Sequence, residues 1–225
     1  GGSSDFWGPT KVLGGTLLVN SAPGGVIKVD AGGTLGGTGN LGLAGRAVTI
    51  AAGGIHAPGA AQTVLGNYVN QGTLRIEGNP AGANKVVVAG AVNITGATLD
   101  LVLSPANAAS WNVFNGPFTI IDKRSAGTVT GTFNPVTKNL LFLDTRVAYD
   151  AGVGNDVTLQ LIRNDLSFGN VGQTRNQRAT GAAIDTLGSG NILWRTIALN
   201  GDPNSVRASF DALSGEIHAS AKTAL

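Results

Sequence analysis

The sequence predicts an all-β protein: a right-handed parallel β-helix, closed by a C-terminal β cap and followed by an α-helical linker segment. Three observations lead there. Glycine occupies 35 of 225 positions while charged residues make up 12% and aromatics 5%, a composition suited to short strands, tight turns and stacked aliphatic layers rather than a core of large side chains. A Gly-Gly-Thr-Leu unit recurs along the first half at a spacing near 20 residues, which marks a solenoid. An alanine-rich helical pattern then takes over near the end of the chain.

The repeat spans residues 1–97. It reads "GGTLLV" at Gly14, "GGTL" at Gly32, "GGIHA" at Gly53, "GTLRI" at Gly72 and "GAVNI" at Gly90, with intermediate echoes at Gly24, Gly45 and Gly96. A unit of this length cannot bury its own apolar face, so neighbouring units must stack around one continuous core. Glycine and asparagine would take the positive-φ corners. A β-sandwich of hairpins, whose strands also recur every 8 to 12 residues or so, is the alternative. It does not explain why the unit repeats in sequence as well as in pattern.

Residues 98–165 keep strand-like runs but lose the period, and Pro105, Pro117 and Pro135 interrupt them. Because a solenoid end exposes unpaired strand edges and apolar interior, it needs a cover. Trp111, Phe114, Phe118, Phe133, Phe142 and Tyr149 gather in this block and form the expected cap core and folding nucleus. Each large side chain contributes about 1.5–3 kcal/mol when buried.

Residues 166–225 are expected to be helical. Thr174 and Gln177 have capping-box spacing ahead of a helix ending near Gly188; "NILWRTIAL" supplies a shorter helical turn. Asp202-Pro203 then offers an N-cap followed by proline at the first helical position. Val206, Phe210, Leu213, Ile217, Ala221 and Ala224 fall on one face of the last helix, with Gly215 inside it.

Several function classes find little support. A net charge of +2 with scattered Lys and Arg argues against a nucleic-acid partner. No apolar run approaches the roughly 20 residues that span a bilayer as a helix. The chain has no cysteine, which excludes a disulfide framework and a thiolate metal site. Its histidines, His56 and His218, lack a neighbouring nucleophile motif and read as structural or solvated. Glu77, Glu216 and dispersed Asp residues do not form the paired carboxylates of a glycosidase. "DAGVGNDVTL" matches the calcium-binding nonapeptide only in part and only once, so it reads as a hairpin turn. No cofactor, metal or catalytic residue is expected.

The order "GGTLGGTGNL", "AAGGIHAPG", "GATLDLVL", "GTFNP", "VAYDAGVGNDVTLQLIRN", "NQRATGAAIDTL" and "FDALSGEIHASAKTAL" resembles the C-terminal passenger region and linker of type Va autotransporters of Gram-negative bacteria. The resemblance implies a surface-exposed or secreted segment, and the scarcity of candidate catalytic residues leads to the expectation that it is not an enzyme. Its last turns and cap would act as an autochaperone during self-secretion, and its terminal helix would lead into a β-barrel translocator beyond Leu225. Implied partners are that barrel and the outer-membrane assembly machinery. An adhesin that binds a host surface or matrix is the alternative, and a polysaccharide-acting β-helix enzyme a third reading.

Overall fold

Strands arise here because apolar and polar residues alternate in runs of about four between glycine corners, the period that places every second side chain on one face. A computed structural model describes residues 8–21, 24–79, 82–103, 117–152 and 155–215. Strands β1 (Thr10–Val12) and β2 (Gly15–Leu18) begin the stack. The next turn is β3 (Ile27–Val29), β4 (Gly33–Gly37) and β5 (Asn40–Leu41), followed by β6 (Ala47–Ile50), β7 (Ile55–Pro58) and β8 (Ala61–Val64). Then come β9 (Asn67–Asn70), β10 (Thr73–Asn79), the short β11 (Gly82–Ala83) folded back on β10, and β12 (Lys85–Val88). A last turn comprises β13 (Val92–Asn93), β14 (Thr98–Leu103) and β15 (Phe118–Lys123), with β16 (Val136–Lys138) added beside β14.

These strands stack into three sheets, with β1-β3-β6-β9-β13 in one and β2-β4-β7-β10-β14-β16 in another. The third begins β5-β8-β12-β15. Pairing between successive turns is parallel, as in Leu17 with Leu35 and Val48 with Tyr68. The result is the expected β-helix, a parallel solenoid of about four turns, and the parallel registers rule out the hairpin sandwich. The parallel run ends in the third sheet, where β18 (Asp156–Arg163) pairs antiparallel to β15 and β17 (Leu143–Ala151) lies outside it as the edge strand.

The repeated Gly-Gly has a direct cause. Gly32 and Gly53 turn the corner at φ +82° and +78°, and the Gly32 N–H donates to the Gly53 carbonyl one turn on, at 3.0 Å. The following glycine meets backbone: a Cβ on Gly33 would lie 2.7 Å from the Val12 oxygen, and one on Gly54 3.0 Å from that of Val29. At these two corners the first glycine demands a left-handed conformation and the second demands space, whereas at Gly14-Gly15 the positive φ falls on Gly15 and neither position is crowded.

Among the described residues, the chain up to Val102 together with 117–138 and Arg146–Gln160 forms one compact unit; Leu103, Asn139–Thr145 and the chain from Leu161 onward form another. Residues 98–165 contribute to both. In the second unit a 3-10 turn at Phe168–Val171 packs on α1 (Arg175–Asp185), and α2 (Ile192–Ala198) and α3 (Pro203–Ser214) follow. Thr174 and Gln177 form the expected capping box, and Asp202 caps α3 ahead of Pro203. Gly215, read from the sequence as an interior residue, is instead the C-cap of α3 at φ +73°, where its missing Cβ makes the left-handed turn cheap.

Gly53→Ala is expected to lower the urea midpoint by an amount equivalent to about 1–2 kcal/mol, the cost of a left-handed alanine. Gly14→Ala, at ordinary φ with nothing within 4 Å of the added methyl, is the matched control and should leave the midpoint unchanged.

Candidate functional site

The parallel register puts each inward side chain over its counterpart one turn away, so columns of like residues are expected. Most columns are aliphatic. In the three consecutive strands β7, β8 and β9 they turn polar together. His56 stands between Leu35 and Leu74, and Tyr68 between Val48 and Val92. Gln62 faces Val86 and Asn70 faces Ile50. All four polar residues are fully buried, and together they form one layer across the interior of the solenoid.

The layer is joined by hydrogen bonds that run in a single direction. The Gly72 N–H donates to Asn70 Oδ1 at 2.8 Å, and Asn70 Nδ2 donates to the Tyr68 hydroxyl at 2.9 Å. That leaves the hydroxyl proton for His56 Nδ1, 2.8 Å away. Gln62 Nε2 donates to the carbonyls of Gly36 (3.0 Å) and Val19 (3.4 Å). Its Oε1 is thereby left facing His56 Nε2 at 3.0 Å, as an acceptor that requires the proton there. His56 is held as the neutral Nε2–H tautomer with both ring nitrogens satisfied. Burial pushes its pKa from 6.5 down to about 4, opposed in part by the Gln62 bond. Burial likewise holds the Tyr68 hydroxyl far above its ordinary range, against a smaller opposing effect from Asn70. A group so enclosed orients neighbours and fixes register; it does not meet a substrate.

A second polar device closes the third sheet. Lys123 continues the inward column Leu41–Val64–Val88 and is only 3% exposed. Its ammonium donates to the carbonyls of Ser125, Ala126 and Gly127 at 2.7, 2.8 and 2.6 Å, so all three protons are used. Asn155 Nδ2 donates to the Lys123 and Ser125 carbonyls, each at 3.0 Å, and Asp156 Oδ1 accepts from the Lys123 N–H. The lysine thus gathers the carbonyls of the turn that follows β15, and Asn155 and Asp156 tie the end of β15 to the start of β18.

The aromatic residues expected to form one cap separate into distinct places. In the solenoid unit, buried Phe133 and half-buried Tyr149 make a ring contact at 6.3 Å, and the Phe133 N–H donates to the Tyr149 hydroxyl at 2.9 Å. Phe118 on β15 is half-buried. Phe142 belongs to the helical unit, stacked edge-on against Phe168 at 4.7 Å, with Trp194 next in line at 5.6 Å from Phe168. The Arg163 guanidinium lies over the Phe142 and Phe168 rings and bonds Asp185 Oδ1 at 3.2 Å; Asp185 Oδ2 accepts from Ser167 Oγ and the Phe168 N–H. On α3, Val206 and Phe210 are fully buried whereas Leu213 is 49% exposed. Trp111, Phe114, Ile217, His218, Ala221 and Ala224 lie outside the described residues.

Among the described residues no group of three His, Cys, Asp or Glu side chains could hold a metal, and no helix is long and apolar enough to cross a membrane. Gln62, Tyr68 and Asn70 were not singled out by sequence reasoning. The signal that could have found them is the alternation in "IHAP", "AQTV" and "NYVN", which places His56, Gln62, Tyr68 and Asn70 on the inward parity.

The described residues form a parallel β-solenoid with a hydrogen-bonded polar layer across its interior, together with a helical unit. No protein-family model matches the chain. It is similar to an extracellular serine protease of Serratia marcescens, with 26% identity over 194 residues, 83% of this chain and 18% of that protein. The chain therefore corresponds to less than a fifth of its relative's length. Similarity to a large extracellular protein together with the solenoid is consistent with an autotransporter passenger and with a secreted or cell-surface location.

Stability should depend on pH through His56. Its folded pKa lies below its unfolded value, so its contribution is complete above about pH 6.5 and is lost as pH falls toward 4. Between about pH 7 and pH 5 the loss should be about 2 kcal/mol by urea denaturation. His56→Leu, matching its column neighbours Leu35 and Leu74, should be less stable at neutral pH yet lose distinctly less over the same interval. Equal losses in both proteins would contradict the assignment.

Proposed function

We propose that this chain is the C-terminal part of a type Va autotransporter passenger, in which the last solenoid turns and their cap fold first outside the outer membrane and template the turns before them. The observation that carries this reading is the way the solenoid ends. In its third sheet the parallel stack stops at β15, and the antiparallel β18, the Lys123 cradle and the Phe133–Tyr149 contact stand at that end. A template of this kind offers each incoming turn a formed edge, so the nucleation cost is met once. Folding free energy is then available as a bias on transport where no nucleotide is at hand.

In this reading the helical unit is the tether between passenger and translocator, and the partners are the barrel and the machinery that assembles it. The segment is non-catalytic: His56, the described histidine, is sealed in the core with both nitrogens committed. The protease activity named for the relative would, on this account, reside in parts of that protein to which this chain does not correspond. Adhesion through the solenoid flank is a separate possibility, and saturable binding of the purified chain to host cells or matrix would reveal it.

The experiment compares Phe133→Ala with Leu35→Ala for surface display from the full-length parent. Each removes a buried side chain, at a cost of roughly 2–5 kcal/mol. The cap variant should reduce display several-fold more than the rung variant after correction for the measured stability loss. Equal reduction would show that the cap has no special part in export.

A further inference from the structure

We propose that the outer edge of β17 is a self-association site, at which a second copy of this chain pairs antiparallel across Arg146–Asp150 about a two-fold axis at Ala148. The inference rests on sheet geometry and charge, and it stands apart from the secretion reading above.

β17 is the terminal strand of its sheet, with β18 on one side and no strand on the other among the described residues. A groove of about 680 Å³ runs along Arg146–Asp150 and is also lined by Thr128, Val129, Gly131 and Thr132. An edge of this kind presents unpaired N–H and C=O groups and acts as a template for another strand unless something opposes it. Charged side chains are the usual opposition. Here they are arranged so that a second copy satisfies them.

In an antiparallel pair related by a two-fold axis, each contact occurs twice with the partners exchanged. With the axis at Ala148, Arg146 of one copy faces Asp150 of the other, Asp150 faces Arg146, and Val147 faces Tyr149. Arg146 and Asp150 are both exposed, share one face of the strand, and make no ion pair or side-chain hydrogen bond within the described chain. Extending the pair sets Thr145 against Ala151 and Asp144 against Gly152, with no like charges opposed. One strand pair buries little area, and the association should accordingly be weak and concentration-dependent, becoming significant where copies are crowded on a surface.

The test is sedimentation velocity on the full 225-residue chain across micromolar to millimolar concentrations, at low and high salt. The wild type should show a monomer–dimer equilibrium that weakens with salt. Arg146→Asp and Asp150→Arg should each raise the dissociation constant by about tenfold or more, since each converts two opposite-charge pairs into two like-charge pairs. The double variant Arg146→Asp/Asp150→Arg restores complementarity and should recover the dimer. A wild type that stays monomeric throughout would overturn the proposal, as would a double variant no better than the singles. Persistence of the dimer in Asp150→Arg would overturn the register. Circular dichroism on each variant confirms that the exposed substitutions leave the fold intact.

Discussion

Everything in the solenoid depends on one constraint: parallel in-register stacking places each inward side chain against the same position one turn above and below. A residue is therefore chosen for its column as much as for its strand. Aliphatic columns such as Ile27–Val48 and Val64–Val88 satisfy the constraint through close packing of β-branched side chains, which suit a pleated, half-buried surface. The Gly-Gly corners follow from it too, because only a fixed turn, repeated with little room between backbones, lets the next strand start in register.

A polar residue in such a stack is costly unless its whole layer is polar with it. A buried donor or acceptor without a partner costs roughly 1–3 kcal/mol, and an isolated His56 between Leu35 and Leu74 would bear that cost at both ring nitrogens. With Gln62, Tyr68 and Asn70 in consecutive strands, the bonds close into a chain anchored on backbone at Gly36, Val19 and Gly72. A turn stacked one step out of place would leave several of these groups unpaired at once. Aliphatic columns alone discriminate weakly between registers, whereas this layer discriminates strongly. Lys123 applies the same logic at the end of its column, where a buried ammonium is satisfied by three carbonyls of the turn that follows.

Much of the fold was legible in the sequence. The period of the Gly-Gly-Thr-Leu unit specified the solenoid, and the Thr174–Gln177 and Asp202–Pro203 signatures specified helix starts, because these are local rules. The polar layer was harder to read, since it requires knowing which parity faces inward and which strands share a turn. His56 taken alone looked like any structural histidine. The grouping of the aromatics also eluded sequence reasoning: Phe133 and Tyr149 meet in the solenoid unit while Phe142 joins Phe168 and Trp194 among the helices, a partition that arises from long-range packing. Gly215 was misread because a glycine at a helix end and one within a helix look alike until the dihedral is seen.

The proposed template role requires the C-terminal turns and their plug to be the most stable part of the solenoid. Native-state hydrogen exchange tests it most directly. The account predicts that amides of β12, β15 and the Asp156–Gln160 part of β18 exchange slowest and at the global unfolding free energy, with protection falling stepwise toward β3 and β1. Protection that is uniform along the stack, or greatest at the β1–β3 end, would contradict it.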